Sequence, residues 1–110
     1  MKVWLDDERP APGGWVHVKS DFETIEFLCR KENRGNVTHL SLDHDLGAEE
    51  FGTGYDVVLV LEDLAANDMW KAIPEKITVH SANPVGRAKM EAGIRSIEKM
   101  RKKFVEGVDR

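Results

Sequence analysis

Hydrophobic residues in this chain occur in short runs and in longer segments where they recur at helical spacing. Four short runs are typical of buried strands; they cover residues 2–5, 15–19, 37–42 and 76–80. Three longer segments have the apolar stripe of an amphipathic helix; they run from Ser20 to about residues 33–35, from Tyr55 to about Asn67 and from Pro84 to about Val105.

A capping motif supports the first of these helices, and apolar stripes support the first and the last. Ser20 and Glu23 have the spacing of a capping box. The apolar stripe of the first helix includes Phe22 and Leu28, and that of the last includes Phe104. We expect these apolar side chains to face the core.

The order strand, strand, helix, strand, helix, strand, helix predicts an α/β fold with a mostly parallel sheet and helices packed on its faces. The first connection is unusual, because about nine residues join the first two strands and a parallel crossover usually takes a dozen. Its prolines and glycines, at residues 9–14, indicate a loop. We nevertheless expect the second strand to be parallel.

Composition and charge narrow the class of protein. With 110 residues, of which 41% are hydrophobic and 33% charged, the chain predicts one globular domain over residues 1–110. The net charge of −4 makes long nucleic acid an unexpected partner, whereas a small anion could bind beside a cation. Cys29 is the only cysteine, and no segment predicts a signal peptide or a membrane span. These features favour a cytoplasmic protein.

Polar clusters follow three of the predicted strands. They occupy residues 6–9 (Asp-Asp-Glu-Arg), 43–45 (Asp-His-Asp) and 80–83 (His-Ser-Ala-Asn). The carboxyl ends of parallel strands share one edge of a sheet, and ligands bind at that edge. Clusters far apart in sequence should therefore meet in space.

Five carboxylates would crowd this edge: Asp6, Asp7, Glu8, Asp43 and Asp45. Two like charges about 4 Å apart cost roughly 4 kcal/mol at an effective dielectric of 20. Raised carboxylate pKa values or a bound cation would offset this repulsion. Oxygen ligands without cysteine suit Mg²⁺ or Mn²⁺. The alternative interpretation of each acidic segment is a solvated loop.

Other residues in and near these clusters could act on a phosphate. His44 and His80 lie beside carboxylates and could transfer protons, although a satisfied surface or core histidine is the alternative. Ser81, Asn83 and Thr53 could bind phosphate together with backbone N–H groups at helix starts, or could simply cap those helices. His17 and His39 lie within predicted strands and are interpreted as structural.

Four motifs together resemble the cyclic-phosphate processing receiver-like family, a divergent relative of response-regulator receiver domains. The motifs span residues 5–10 (LDDERP), 41–47 (SLDHDLG), 53–56 (TGYD) and 80–84 (HSANP). The resemblance covers nearly the whole chain. It implies a flavodoxin-like, three-layer fold with a four-stranded sheet in the order 2-1-3-4, and a phosphate-directed, metal-dependent site.

Similarity to ordinary receivers implies roles for individual acids. Asp6 and Asp7 match the pair that binds Mg²⁺, and Asp43 matches the phosphate-accepting aspartate. Asp45 matches the residue whose backbone carbonyl joins the metal.

Two further positions match those of ordinary receivers, and several features of the chain depart from the receiver pattern. Ser81 matches the hydroxyl residue after the fourth strand, and Gly54 the glycine before a helix. The fifth receiver strand and its phosphate-contacting lysine are absent from this sequence, and a loop replaces the first helix. His44 and His80 are typical of the divergent family. These departures disfavour phosphorelay signalling.

The hypothesis from the sequence is a metal-dependent phosphoesterase that opens a cyclic phosphate, with a nucleotide as one source of that phosphate. Its residues, by expected role, are Asp6, Asp7, Asp43 and Asp45 for Mg²⁺ or Mn²⁺, His80 as proton donor, His44 or Asp45 to orient water, and Arg9, Ser81, Asn83 and Thr53 for the phosphate. The sequence leaves open whether Asp43 is a ligand of the cation or a covalent nucleophile. The rival hypotheses are a degenerate receiver phosphorylated on Asp43 and a module that binds a cyclic nucleotide without turnover.

Overall fold

The computed structural model describes residues 1–46 and 52–108, in which four strands form one parallel sheet. The strands are β1 (Lys2–Leu5), β2 (Trp15–Val18), β3 (His39–Leu42) and β4 (Lys76–Val79). Their order is β2-β1-β3-β4, and every neighbouring pair is parallel. The predicted receiver-like α/β fold and strand order are confirmed. Gly47, which ends the second motif, lies outside the described residues.

The loop from β1 to β2 makes a parallel connection without a helix. Nine residues can span about 30 Å, whereas a four-residue strand is only about 13 Å long, so the loop can return to the start of the next strand. A turn closes it, with the N–H of Trp15 donating to the carbonyl of Pro12 at 3.1 Å. Gly14 lies in that turn at φ +84°, a conformation that favours glycine.

Three helices follow β2, β3 and β4. They are α1 (Asp21–Cys29), α2 (Gly54–Ala66) and α3 (Pro84–Val108). Ser20 caps α1 as predicted, accepting from the N–H of Glu23 at 3.0 Å. In a standard capping box the Glu23 carboxylate would accept from the N–H of Ser20. Here it accepts instead from the N–H of the preceding residue, Lys19, at 3.2 Å.

Helix α1 ends at Cys29, several residues before the predicted end. The Asn33 amide donates to the carbonyl of Phe27 at 2.8 Å, and the Arg34 guanidinium donates to that of Cys29 at 3.0 Å. These side chains satisfy carbonyls of the last turn, so the chain leaves the α-helix without exposing them. A short 3₁₀ turn over Lys31–Asn33 follows.

One hydrophobic core fills the space between the helices and one face of the sheet. Its buried strand residues alternate along each strand, and those of β1 and β3 are Val3, Leu5, Leu40 and Leu42. Helix α2 contributes Val57, Val58 and Leu61, and α3 contributes Met90, Ile94 and Ile97. Phe22 and Phe104 were expected in the core but are exposed, Phe22 by 73%. Phe22 lies two residues before buried Thr24, which places it about 200° around the helix.

The opposite face of the sheet differs from the expected third layer. Its strand positions form what we call the histidine–tryptophan face, and they are Lys2, Trp4, Trp15, His17, His39, Ser41, Lys76 and Thr78. None of these residues belongs to the core, to which α1, α2 and α3 all contribute. In the described residues the helices therefore form one layer. The loop after β1 borders the other face, where the Trp4 indole N–H donates to the carbonyl of Arg9 at 3.3 Å.

None of the helices in residues 1–46 and 52–108 combines the length and the apolar character needed to cross a bilayer.

Gly54 permits the close approach of α2 to the end of β3. A Cβ at this position would overlap the backbone carbonyl oxygen of Asp43 and lie 2.9 Å from the sulfur of Met90. We expect Gly54→Ala to lower the free energy of unfolding by roughly 1–3 kcal/mol, the usual cost of overpacking. Gly13→Ala is the control, because a Cβ there meets nothing within 4 Å. Urea titrations of both variants would measure the effect, and equal stability would contradict it.

Candidate functional site

Three side chains from different strand ends meet at the carboxyl edge of the sheet. Asp6, Asp43 and His80 each offer one ligating atom, and these atoms all lie within 4.8 Å of one another. The sheet hydrogen bonds continue one residue past the strands, with Asp43 N–H donating to Leu5 at 3.0 Å and His80 N–H to Leu42 at 2.9 Å. This continuation keeps the three residues in register, and we call them the Asp–Asp–His cluster.

Asp6 is held as a buried carboxylate by its own loop. Its side chain is 1% exposed, and Oδ1 accepts from the backbone N–H groups of Glu8 at 2.8 Å and Arg9 at 2.9 Å. Oδ2 lies 3.1 Å from Nε2 of His80. Burial alone would raise the pKa of Asp6, but the N–H groups of Arg9 and Glu8 together with His80 hold it below its ordinary value. Asp6 is therefore charged at neutral pH.

Asp43 carries the less favourable of the two negative charges in the cluster. Burial raises its pKa above the ordinary value, and the negative charge of Asp6 raises it further. A hydrogen bond from the backbone N–H of His44 to Oδ1, at 2.9 Å, only partly opposes this. A cation shared by the two carboxylates would relieve the repulsion.

The His80 ring is fixed on three sides. Nδ1 lies 2.7 Å from Oγ of Ser41, Nε2 faces Asp6, and the ring stacks on Trp4 with centroids 3.7 Å apart and planes 6° from parallel. Burial lowers the pKa of His80, although Asp6 and Asp43 oppose the shift. Because the Asp6 carboxylate can only accept, Nε2 carries the proton of the neutral ring and Nδ1 accepts from the Ser41 hydroxyl.

Trp4 and Ser41 support the site, and the sequence reasoning missed both. Each lies two residues before a cluster aspartate, Trp4 before Asp6 and Ser41 before Asp43. Side chains two apart on a strand point to the same face. That spacing was a signal that these polar and aromatic residues face away from the core and toward the cluster.

A second group of polar side chains lies beside the cluster. Oδ1 of Asp45 lies 2.9 Å from Nδ1 of His44, and its two carboxylate oxygens lie 3.4 and 3.3 Å from Nδ2 of Asn83. The hydrogen bond to His44 lowers the pKa of Asp45, with a smaller contribution from Asn83. Oδ1 of Asn83 accepts from the N–H of Gly86 at 3.0 Å, so Asn83 also caps α3.

The hydroxyls of Ser81 and Thr53, predicted to bind phosphate, are engaged with helix starts. Oγ of Ser81 accepts from the N–H of Asn83 at 3.1 Å, and Ser81 is 5% exposed. Thr53 forms a full capping box with Asp56 at the start of α2. The alternative of helix capping therefore describes what the Thr53 hydroxyl does, whereas the Ser81 hydroxyl stabilises the turn that ends at Asn83, the residue before α3.

A polar cavity of about 250 Å³ adjoins the cluster, lined by Asp7, Glu8, Arg9, Asp43, Asp45 and Ala82. Asp7 belongs to this lining and not to the Asp–Asp–His cluster. The Arg9 guanidinium donates from Nη1 to the carbonyl of His80 at 3.0 Å and stays about half exposed at the cavity. The cavity thus brings together Asp7, Arg9 and Asp45, which the sequence placed in one site.

The two histidines interpreted as structural have backbone or strand partners. Nε2 of His17 lies 2.6 Å from the backbone oxygen of Asp6, and Nε2 of His39 lies 2.7 Å from Oγ1 of Thr78. Burial lowers the pKa of His39, and the neighbouring charges of Lys76 and Lys2 lower it further.

A parallel sheet with this strand order and an acidic cluster at its carboxyl edge defines a receiver-like α/β domain. The family model described as Cyclic-phosphate processing Receiver domain matches residues 1–96. The chain belongs to this family, as its four motifs predicted. No curated protein and no solved structure matches the chain.

Asp43 is expected to destabilise the metal-free protein. Asp43→Asn keeps the acceptor for His44 N–H and removes a buried charge, so the free energy of unfolding should rise by on the order of 1 kcal/mol, or roughly 4–8 °C in Tm. Saturating Mg²⁺ or Mn²⁺ should stabilise the wild type and not this variant.

Thermal unfolding in EDTA and in metal would measure both effects. Asp63→Asn, which neutralises an exposed acid on α2, is the control and should change neither quantity. A metal-dependent gain retained in Asp43→Asn would show that the cation binds elsewhere.

The lowered pKa values of His80 and His39 predict a pH dependence of stability. Below about pH 6.5, the ordinary pKa of histidine, the unfolded chain binds protons that the folded protein resists. Stability that is present above that pH should therefore be lost as the pH falls. Denaturant titrations of metal-free protein would show it, with shallower losses in His80→Gln and His39→Gln. Unchanged slopes in both variants would refute the assignment.

Proposed function

We propose that this domain hydrolyses a cyclic phosphate with the help of a divalent cation. The observation that carries the proposal is the pair of buried carboxylates, Asp6 and Asp43, which meet His80 within 4.8 Å beside a polar cavity. Such a pair is costly without a cation. The family match supports a cyclic phosphate as the ligand, since its model is described by cyclic-phosphate processing.

The donor set fits a small divalent cation. Asp6 and Asp43 would hold Mg²⁺ or Mn²⁺ through carboxylate oxygens. A cation bound there supplies Lewis-acid polarisation of the phosphoryl group. Asp7 and Asp45 line the same cavity and would bind the cation through intervening water.

His80 is proposed to move the proton. Because burial favours the neutral ring, Nε2 can accept a proton from the attacking water in the tautomer whose ring proton lies on Nδ1 and is donated to Ser41. The water oxygen then forms the new bond to phosphorus as the ring P–O bond breaks, and the imidazolium returns its proton to the leaving alkoxide. Ser41 permits this, since its hydroxyl can donate to Nδ1 or accept from it and so hold either tautomer. Sequence reasoning had assigned His80 only the second transfer.

Arg9 and Asn83 are proposed to bind the phosphate oxygens. The free N–H groups of the half-exposed Arg9 guanidinium lie at the cavity and can form a bidentate contact. Asn83 is positioned by its cap on α3, and Asp45 orients both its amide and the ring of His44. His44 is proposed to orient water on that side.

The leaving group distinguishes a proton-transfer residue from a cation ligand. With saturating Mn²⁺, His80→Gln should lower kcat on a cyclic phosphate about 10²–10⁴-fold, and much less on a nitrophenyl phosphodiester, whose leaving group needs no proton. Asp43→Asn should lower both rates alike. Phosphorus NMR of the products, after EDTA has stopped the reaction and the Mn²⁺ has been removed, measures the first rate, and nitrophenol absorbance the second.

A degenerate receiver is the second candidate, because the motif around Asp43 resembles that of the phosphate-accepting aspartate of receivers and Asp43 lies beside Asp6. It would be supported if no cyclic phosphate is opened and acetyl phosphate adds one lasting phosphoryl group to the wild type but not to Asp43→Asn. Binding of a cyclic phosphate without product would instead identify a binding module.

A further inference from the structure

The histidine–tryptophan face has a composition unlike the rest of the chain. Its strand positions carry two of the three tryptophans, two lysines and two of the four histidines, and none of them is acidic. The same alternation continues one residue beyond the strands into the Asp–Asp–His cluster, to His80 after β4, Asp6 after β1 and Asp43 after β3. This basic and aromatic composition occurs in a protein whose net charge is −4.

The aromatic rings of this face contact one another instead of a helix. Trp4 and Trp15 meet edge to face with centroids 5.9 Å apart. Trp15 lies 4.8 Å from the ring of His39, and the Lys2 ammonium lies 5.7 Å from the Trp15 ring. All of these residues except Lys2, which is exposed, are half-buried, so part of each residue remains accessible.

The face is continuous with the Asp–Asp–His cluster. Trp4 stacks on His80, whose Nε2 lies 3.1 Å from Asp6, and Trp4 also meets Trp15. An aromatic surface therefore leads from the proposed phosphate site along the sheet to Trp15.

We propose that this face binds a nucleobase, so that the ligand of the cluster is a nucleotide whose base stacks on Trp15. The inference rests on the proposed function, because the phosphate of that ligand occupies the cluster. Bases stack readily on aromatic side chains presented by an open sheet. The strand positions of the face carry Lys2 and Lys76 and no acid, and the acids that follow them, Asp6 and Asp43, belong to the cluster, where the proposed cation would offset their charge.

A protein partner fits this face poorly. Four strands about 4.8 Å apart and four residues long present a surface of roughly 14 by 13 Å, or about 200 Å². A stable protein interface buries about 800 Å² on each partner. A single base, by contrast, is small enough to lie within this surface.

The test compares two ligands that differ in having a base. They are adenosine with a cyclic phosphate across its ribose hydroxyls and glycerol cyclic phosphate, each titrated in Mg²⁺ and followed by ligand-observed NMR before turnover. The wild type should bind the nucleotide about 5- to 100-fold more tightly. Trp15→Leu should abolish that preference, and Trp15→Phe should retain most of it.

Phe22→Leu is the matched control, since it removes an aromatic ring that is 73% exposed on α1, outside the face. It should leave the preference unchanged. Circular dichroism establishes that each variant is folded, and Trp15→Phe tests stacking even where Trp15→Leu is unstable.

The outcomes separate this inference from the proposed function. Equal affinities in the wild type, or a preference that survives Trp15→Leu, would overturn the nucleobase surface while cyclic-phosphate hydrolysis stands. If the protein opens no cyclic phosphate but binds the adenosine cyclic phosphate, and Trp15→Leu loses that binding, the nucleobase surface would be supported and the hydrolase activity refuted. A dimer that Trp15→Leu dissociates would assign the face to a second copy of the chain and overturn the inference.

Discussion

The burial of two carboxylates at one edge of the sheet is the constraint on which the site depends. Asp6 is stabilised as an anion by two backbone N–H groups and by His80, whereas Asp43 has one N–H group and lies in the field of Asp6. This asymmetry concentrates the unfavourable charge on Asp43. A cation bound between the two carboxylates would remove a penalty that folding has already imposed.

The parallel register turns that constraint into a defined geometry. Each cluster residue follows its strand directly, and the ladder continues through the backbone N–H of Asp43 and of His80. The side chains are therefore positioned by sheet hydrogen bonds rather than by the loops that follow. Gly54 completes this arrangement, because a larger residue would collide with the carbonyl of Asp43.

The loop after β1 has consequences on both sides of the sheet edge. It supplies the N–H groups that hold Asp6 and places Arg9 at the cavity. Because it replaces a helix, it also leaves polar and aromatic side chains on the second sheet face, where Trp4 and Ser41 fix the ring of His80. The loop that stands in place of a helix therefore leaves Trp4 and Ser41 free to contact His80 and leaves a surface accessible beside the site.

The sequence by itself determined the elements, their parallel order and the edge at which Asp6, Asp43 and His80 meet, because hydrophobic periodicity and strand ends are local features. The sequence placed Phe22 in the core and Asp7 among the metal ligands, and it did not identify Trp4 or Ser41 as residues of the site. Those positions depend on which face of a strand or helix meets a neighbour. Tertiary packing alone decided that Asp7 lines the cavity and that Asn83 bridges a helix cap to Asp45. Each of these depends on contacts between segments distant in sequence, which no local pattern encodes.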